Sequence, residues 1–253
     1  MTGALRVSVV TGASSGIGRG LALALARRGD LVVAVGRDRG RLEALAEALA
    51  EAGPGAHLTL ALDVSSEADM ARLRAEVEAL GRADVMIASA AVGRSAGAAL
   101  PPPTRDLPLE DWQRMVDVNL HGVFLANAAV LPLMRAQGDG DIVNIGSSTT
   151  PHGLRGTPLA PAYSATKFAL AEYGRALAEE MAPEGIRVRT IFPGPVETPL
   201  IAGTLLDGPF GGRISEANFA TALLGLIELG RGMVVADPHL LPVPQRGRAR
   251  KKA

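Results

Sequence analysis

The 253-residue sequence contains no cysteine, which excludes disulfides, thiolate metal centres and a cysteine nucleophile and fits a reducing compartment. Histidine is nearly as scarce. His57, His121, His152 and His239 match no ligand spacing, so no metal is expected. Aromatic residues make up 3% of the chain against 47% hydrophobic residues, which predicts an aliphatic core of small side chains packed closely on a sheet. Net charge is zero, and no whole-protein field recruits nucleic acid or an anionic membrane surface. No uninterrupted apolar run reaches the roughly 18 residues of a membrane-spanning helix. The N-terminal stretch is too short for the apolar part of a signal peptide, and a cytoplasmic location is expected. Lysine is the most telling shortage. Lys167 is the only lysine outside the C-terminal tail, where Lys251 and Lys252 follow Arg246, Arg248 and Arg250. That tail, residues 246–253, reads as a solvated, disordered appendage to a single domain spanning residues 1–245.

What is present alternates. Leu5 to Val10 is a short β-branched run closed by Thr11-Gly12, and Gly16 to Arg28 then places Ile17, Leu21, Ala24 and Leu25 at helical spacing before Gly29. Further aliphatic runs at Leu31 to Val35, Leu58 to Leu62, Asp84 to Ala90, Asp141 to Gly146 and Ile186 to Phe192 predict strands. Helical stretches at Asp38 to Ala52, Glu67 to Leu80, Leu109 to Arg135 and Tyr163 to Met181 separate them. The pattern predicts an α/β fold, a parallel sheet covered on both faces by helices. A last helix is expected at Glu216 to Leu229 and a last strand at Met233 to Ala236. Two connections stand out: a Gly/Pro-rich surface loop from Gly93 to Pro108, and a glycine-rich stretch from Ile201 to Ser215 that reads as a candidate lid. Both are mostly apolar, which suits a neutral, moderately hydrophobic substrate.

Two segments carry chemistry. Tyr163-Ser164-Ala165-Thr166-Lys167 sets a phenol and an ammonium one helical turn apart on one face, a proton donor beside a cation. Thr11-Gly12-Ala13-Ser14-Ser15-Gly16-Ile17-Gly18 joins the first strand to the first helix, where glycines permit close approach of a pyrophosphate and the helix start offers N–H donors. Together, Thr-Gly-x-x-x-Gly-Ile-Gly at 11 to 18 and Tyr-x-x-x-Lys at 163 to 167 resemble the short-chain dehydrogenase/reductase (SDR) family. Further pieces follow in family order: Asp63-Val64, Asn119, Ser147-Ser148, and Pro193-Gly194-Pro195-Val196-Glu197-Thr198.

The resemblance implies a single-domain, Rossmann-like, doubly wound parallel sheet with strand order 3-2-1-4-5-6-7. It implies hydride transfer between a nicotinamide and a carbonyl or secondary alcohol, with Tyr163 as general acid or base. Lys167 would lower the pKa of Tyr163 and hold the nicotinamide ribose, Ser148 would hydrogen-bond the substrate oxygen with Ser147 as runner-up, and Asn119 would sustain a water relay behind the lysine. The cofactor would rest on Gly12, Ser14, Ser15, Gly16, Ile17, Gly18, Arg37, Asp63, Val64, Ser89, Ala90, Pro193, Gly194, Val196 and Thr198. Asp63 would meet the adenine and Thr198 the carboxamide. A homodimer or homotetramer is the expected assembly, with neither nucleic acid nor membrane as partner. Two departures are visible: Ala88-Ser89-Ala90-Ala91 stands where the family carries Asn-Asn-Ala-Gly, and the Asp-Gly-Gly ending of tetrameric members is missing.

The end of the second strand decides the cofactor. An acid there bonds a ribose 2′-hydroxyl and repels a 2′-phosphate. This chain has Gly36 followed by Arg37, so NADP(H) is expected and NAD(H) is the alternative. The same arginine also reads as a solvated loop charge, and neighbouring Asp38 is within reach of a hydroxyl. The rival from another class is a nicotinamide-binding sensor or scaffold without catalysis. A rival among enzymes is a reductase-like fold that dehydrates or epimerises.

Overall fold

The structure is a computed structural model, described here for residues 5–93, 103–148, 160–202, 212–229 and 235–243. In chain order the elements are β1 (Val7–Thr11), α1 (Gly16–Arg27), β2 (Leu31–Gly36), α2 (Arg39–Ala52), β3 (Leu58–Ala61), α3 (Glu67–Ala79) and β4 (Val85–Ala88). They continue with α4 (Leu109–Val116), a π turn (Asp117–His121), α5 (Gly122–Gln137), β5 (Gly140–Ile145), α6 (Pro161–Met181), β6 (Ile186–Pro193), α7 (Glu216–Leu229) and β7 (His239–Leu240). The strands form one seven-stranded sheet in the order β3-β2-β1-β4-β5-β6-β7, and every pairing is parallel.

Strand alternation builds two apolar layers. Val7 and Val9 of β1, with Val33 and Val35 of β2, enter the layer shared with α3, α5 and α6. Val10, Val32 and Ala34 face the other way, onto α1, α2 and α7. Because both faces are covered, β1, β4 and β5 are buried along their whole length, which is why they read as aliphatic runs rather than as alternating ones. Each fully buried Val or Leu contributes about 1.5–3 kcal/mol of hydrophobic stabilisation.

Three carboxylates fix the strands where they begin. Asp30, just before β2, accepts from the Ser8 hydroxyl of β1 and from Arg28. Asp84, just before β4, accepts from the backbone N–H of Val7 at 2.7 Å and pairs with Arg82. Asp141 of β5 is fully buried and pairs with Arg187 and Arg189 of β6 at 2.9 and 2.8 Å. Nearby, the Gln137 amide closes the end of α5 onto both backbone groups of Ala83, each at 2.8 Å.

One expectation is corrected. The seventh strand is not Met233 to Ala236: Val235 and Ala236 are outside any strand, Met233 lies outside the described residues, and β7 is His239–Leu240. The physical reason is the free edge of β6, where Phe192 donates to the Pro238 carbonyl and Gly194 to the Leu240 carbonyl, at 2.9 and 2.8 Å. The helix expected from Leu109 to Arg135 is present as one helical run, in which the π turn joins α4 to α5. This joined segment is long and apolar enough to cross a bilayer by composition, but Val123, Ala126, Val130 and Met134 pack into the core. Most of the candidate lid, residues 203–211, most of the Gly93 to Pro108 loop and the basic tail lie outside the described residues.

The Asp141 pair generates a prediction. Burial pushes its carboxyl up, but hydrogen bonds from Arg187 and Arg189 and their charges outweigh that and leave it below the ordinary 3.8. A depressed carboxylate stabilises the fold above its unfolded pKa and loses that contribution as pH falls through the folded pKa. Asp141→Asn takes the carboxylate from buried Arg189 and leaves Arg187 with Asp139 alone, so it should cost about 3–5 kcal/mol and lower Tm by roughly 10 °C at neutral pH. The gap between variant and parent should narrow in acid; a gap of the same size at neutral and strongly acidic pH would refute the assignment.

Candidate active site

The sheet's C-terminal edge gathers the sequence motifs. At the end of β1, Gly12 adopts φ +67°, and a Cβ there would stand 2.7 Å from the Ala90 Cα. At the start of α1 a Cβ on Gly18 would stand 2.3 Å from the Gly12 carbonyl oxygen. Any side chain at either position would fill the space that brings strand, turn and helix together. Ser15 precedes α1 in extended conformation and makes no side-chain capping bond. The first-turn N–H groups are therefore left for an anion at the positive end of the helix dipole. Gly16 faces Thr198, whose methyl lies 3.1 Å from where a Cβ would stand. The residues predicted to hold the two ends of a dinucleotide's pyrophosphate-to-carboxamide stretch are neighbours.

The departure at 88–91 has a local answer. Thr11 Oγ1 accepts from the backbone N–H groups of both Ser89 and Ala90, at 3.2 and 3.3 Å, so a β1 hydroxyl fixes this segment beside Gly12. Thr11 opens the glycine motif in the sequence but is not among the residues expected to touch the cofactor. Its signal was its place in the Thr-Gly pair that closes the first strand.

At the adenosine end, Gly36 lies against Ser14, whose Oγ is 3.0 Å from where a Cβ would be. Arg37 Nη1 is 3.7 Å from Asp63 Oδ2, and both side chains are exposed. Burial raises the Asp63 carboxyl, but hydrogen bonds from Ser65 and the Arg37 charge bring it below its ordinary value. Asp38 is committed elsewhere: it caps α2 through the Arg41 N–H at 3.0 Å and pairs with the Arg41 side chain. Val64 is buried and packs against the position of Gly122, so only its backbone is left to face a ligand.

Tyr163 and Lys167 lie on α6, the lysine buried and the tyrosine half-buried. Lys167 Nζ donates to the Ile145 carbonyl at the end of β5, at 2.7 Å, and sits 5.7 Å from the Tyr163 ring centroid. The Tyr163 hydroxyl is hydrogen-bonded to Ser147, whereas the Ser148 backbone N–H donates to the Pro193 carbonyl at 2.9 Å. Burial raises the Tyr163 pKa and the Ser147 bond only partly offsets it. Burial also lowers Lys167 to about 8. Burial thus moves both groups toward their neutral forms.

Asn119 sits in the π turn, fully buried, and its amide is occupied. It accepts from the Val92 N–H and donates to the Val92 carbonyl, both at 2.8 Å, and donates to Thr166 Oγ1 at 3.2 Å. Thr166 in turn donates to the Tyr163 carbonyl. This places Thr166, which the sequence reading passed over inside the Tyr-x-x-x-Lys motif, between the π turn and the tyrosine. On the far side Gly194 is held by β7, Val196 bridges Ile214, and the Thr198 carbonyl accepts from Ile201 and Ala202. Among the described residues no cluster of His, Cys, Asp or Glu is placed to hold a metal.

The model of the family described as short chain dehydrogenase matches residues 6–206. The chain belongs to the short-chain dehydrogenase/reductase family. It is 34% identical over 240 residues to an uncharacterised oxidoreductase of Staphylococcus epidermidis, covering 94% of this chain and 97% of that one. It is 38% identical over 204 residues to a cis-4-hydroxycyclohexanecarboxylate dehydrogenase of Sinomonas cyclohexanicum, covering 80% and 78%. Among solved structures, a 3-ketoacyl-(acyl-carrier-protein) reductase of Brucella melitensis complexed with NADH superimposes with a TM-score of 0.81 at 29% identity, covering 93% and 96%. An alcohol dehydrogenase of Thermococcus sibiricus complexed with 5-hydroxy-NADP gives 0.81 at 27%, covering 97% and 100%. The SDR chain is thus an oxidoreductase whose glycine cradle fits a nicotinamide dinucleotide.

That cradle is testable. Gly18→Ala should weaken nicotinamide cofactor binding by about tenfold or more, since overpacking of this kind costs about 1–3 kcal/mol. Gly225→Ala, where a Cβ meets nothing within 4 Å, should leave binding as it was. Equal affinities for both variants in a fluorescence titration would show that the turn does not cradle the cofactor.

Proposed function

We propose that this SDR is an NADP(H)-dependent oxidoreductase acting on a carbonyl or secondary alcohol, with Tyr163 as acid and base. The observation that carries the reading is one cluster: the Tyr163 hydroxyl bonded to Ser147, on the same helix turn as an ammonium anchored at the end of β5. A bound nicotinamide supplies or accepts the hydride. The protein's part is the proton. A raised pKa keeps Tyr163 a phenol near neutrality, the form that donates to an oxygen gaining charge. Its bond to Tyr163 makes Ser147 the better placed of the two serines to donate to that same oxygen, in place of Ser148. Lys167 is within the same buried layer to orient the ribose, and Asn119 supports a water relay behind it by holding the π turn to Val92.

The described wall beside Tyr163 comprises Gly93, Leu107, Met115, Ala160, Pro161 and Ala162. It is apolar and uncharged, which supports a neutral, moderately hydrophobic substrate. Exposed Leu109, Trp112, Phe124 and Phe168 on α4 to α6 support a homo-oligomer, and the absence of cysteine supports a cytoplasmic setting.

Tyr163→Phe removes only the transferable proton. Turnover of a carbonyl panel, followed by absorbance of the reduced nicotinamide, should fall by roughly 10²–10⁴-fold while cofactor affinity holds. Near-normal turnover would sink the assignment, and an unmutated protein that binds cofactor yet reduces and oxidises nothing would favour the sensor or scaffold.

Cofactor choice rests on Arg37. With Asp38 engaged in capping α2, the group left to meet a 2′-substituent is a guanidinium, which pairs with phosphate. Arg37→Ala should weaken NADPH binding by about tenfold or more, as expected for a charge-assisted bond of about 1.5–3 kcal/mol, and leave NADH binding unchanged. Tighter NADH than NADPH binding in the unmutated protein would overturn this part of the proposal.

A further inference from the structure

One buried polar cluster takes no part in the chemistry above. Asn144 of β5 and Thr190 of β6 are register partners on adjacent strands. Asn127 of α5 reaches the same place and donates to the Asn144 amide oxygen at 3.0 Å and to the Tyr173 hydroxyl at 3.4 Å. The surroundings are apolar, with Leu170, Leu177, Val130 and Ile142 in the same layer. Three atoms in this cluster are buried and have no hydrogen-bond partner: Asn127 Oδ1, Asn144 Nδ2 and Thr190 Oγ1. The side chains of Asn127 and Asn144 are fully buried and Thr190 is 8% exposed. Helix α6 crosses them at Gly174. The Thr190 hydroxyl lies 2.0 Å and the Asn144 amide nitrogen 3.6 Å from where a Cβ on Gly174 would stand.

The three unpaired groups are an acceptor, a donor and a hydroxyl that does either. Turning both amides over exchanges the donor for the acceptor but leaves the same three positions unpaired. A cation would face the amide donor and an anion would face the amide acceptor. A neutral molecule with two donors and two acceptors matches all three, and buried polar atoms of this kind are as a rule paired.

We infer that Asn127, Asn144 and Thr190 form an internal water-binding site, in which one water accepts from the Asn144 amide, donates to the Asn127 amide oxygen and bonds the Thr190 hydroxyl. The site joins β5, β6 and α5 under α6, and residue 174 is a glycine because Thr190 occupies the space a side chain would need. Asn144 immediately precedes Ile145, the residue whose carbonyl holds Lys167, so the water braces the strand just below the catalytic platform.

A crystal structure of the unmutated protein, at a resolution that shows ordered water, should place a water within hydrogen-bond distance of at least two of the three groups. Thr190→Val keeps the shape and removes one partner. It should lower Tm by roughly 5 °C, and Thr190→Ser should recover most of that loss. A dry cluster in which the Asn144 amide bonds Thr190 directly overturns the inference, and so does a Thr190→Val protein as stable as its parent. If Thr190→Val does not fold, the crystal structure of the unmutated protein decides alone.

Discussion

The hydrogen bond from Lys167 to the Ile145 carbonyl is the constraint on which the catalytic edge depends. A lysine that is 2% exposed is held against strong desolvation, and burial has already drawn its pKa to about 8. One short bond to a strand-end carbonyl fixes where its amine stands. Because α6 carries both groups, fixing the lysine also fixes the rotation of the helix about its axis, and that rotation presents Tyr163 to Ser147. The π turn closes the arrangement from the other side through Asn119 and Thr166. No part of this depends on a side chain that reaches far; each contact is made at the end of a strand or in a helix turn.

Much of this was legible in the sequence because it is local. Helix α7 begins where predicted, at Glu216, and the βαβ alternation shows in apolar runs whose type is set by burial on both faces. The phosphate turn announces itself because glycine spacing is the geometry. What was not legible is non-local. The resemblance names Ser148 first and Ser147 second, while where each stands depends on the path of the chain, which ties the Ser148 N–H to the Pro193 carbonyl and sets Ser147 beside Tyr163. Strand β7 has two residues and exists because β6 has an open edge, so no pattern of its own marked it. The polar cluster of Asn127, Asn144 and Thr190 is assembled from three distant places in the chain, each of which reads alone as an isolated polar residue in an apolar element.

Specificity for the adenosine end illustrates how neighbouring residues settle one another's roles. Arg37 and Asp38 are adjacent and of opposite charge, so composition leaves the preference open. The start of α2 gives Asp38 a local role, since an N-terminal cap needs an acceptor and Asp38 supplies one, and the NADP(H) preference proposed above rests on that. The exposed pairing of Arg37 with Asp63 is long, 3.7 Å, and an exposed pair of this kind contributes little, about 0–1 kcal/mol. The guanidinium is therefore held near its place without being consumed by it.

The carboxylates of Asp30, Asp84 and Asp141 all sit where strands begin, at the edge opposite the chemistry. The sheet is thus clamped like a comb gripped by its spine. The spine holds the strand starts by charge, and the teeth end in the loops that carry the site. Insertions or substitutions at the toothed edge alter what the molecule accepts as substrate without retuning the strands beneath, so the architecture separates the inheritance of the fold from the diversification of its specificity.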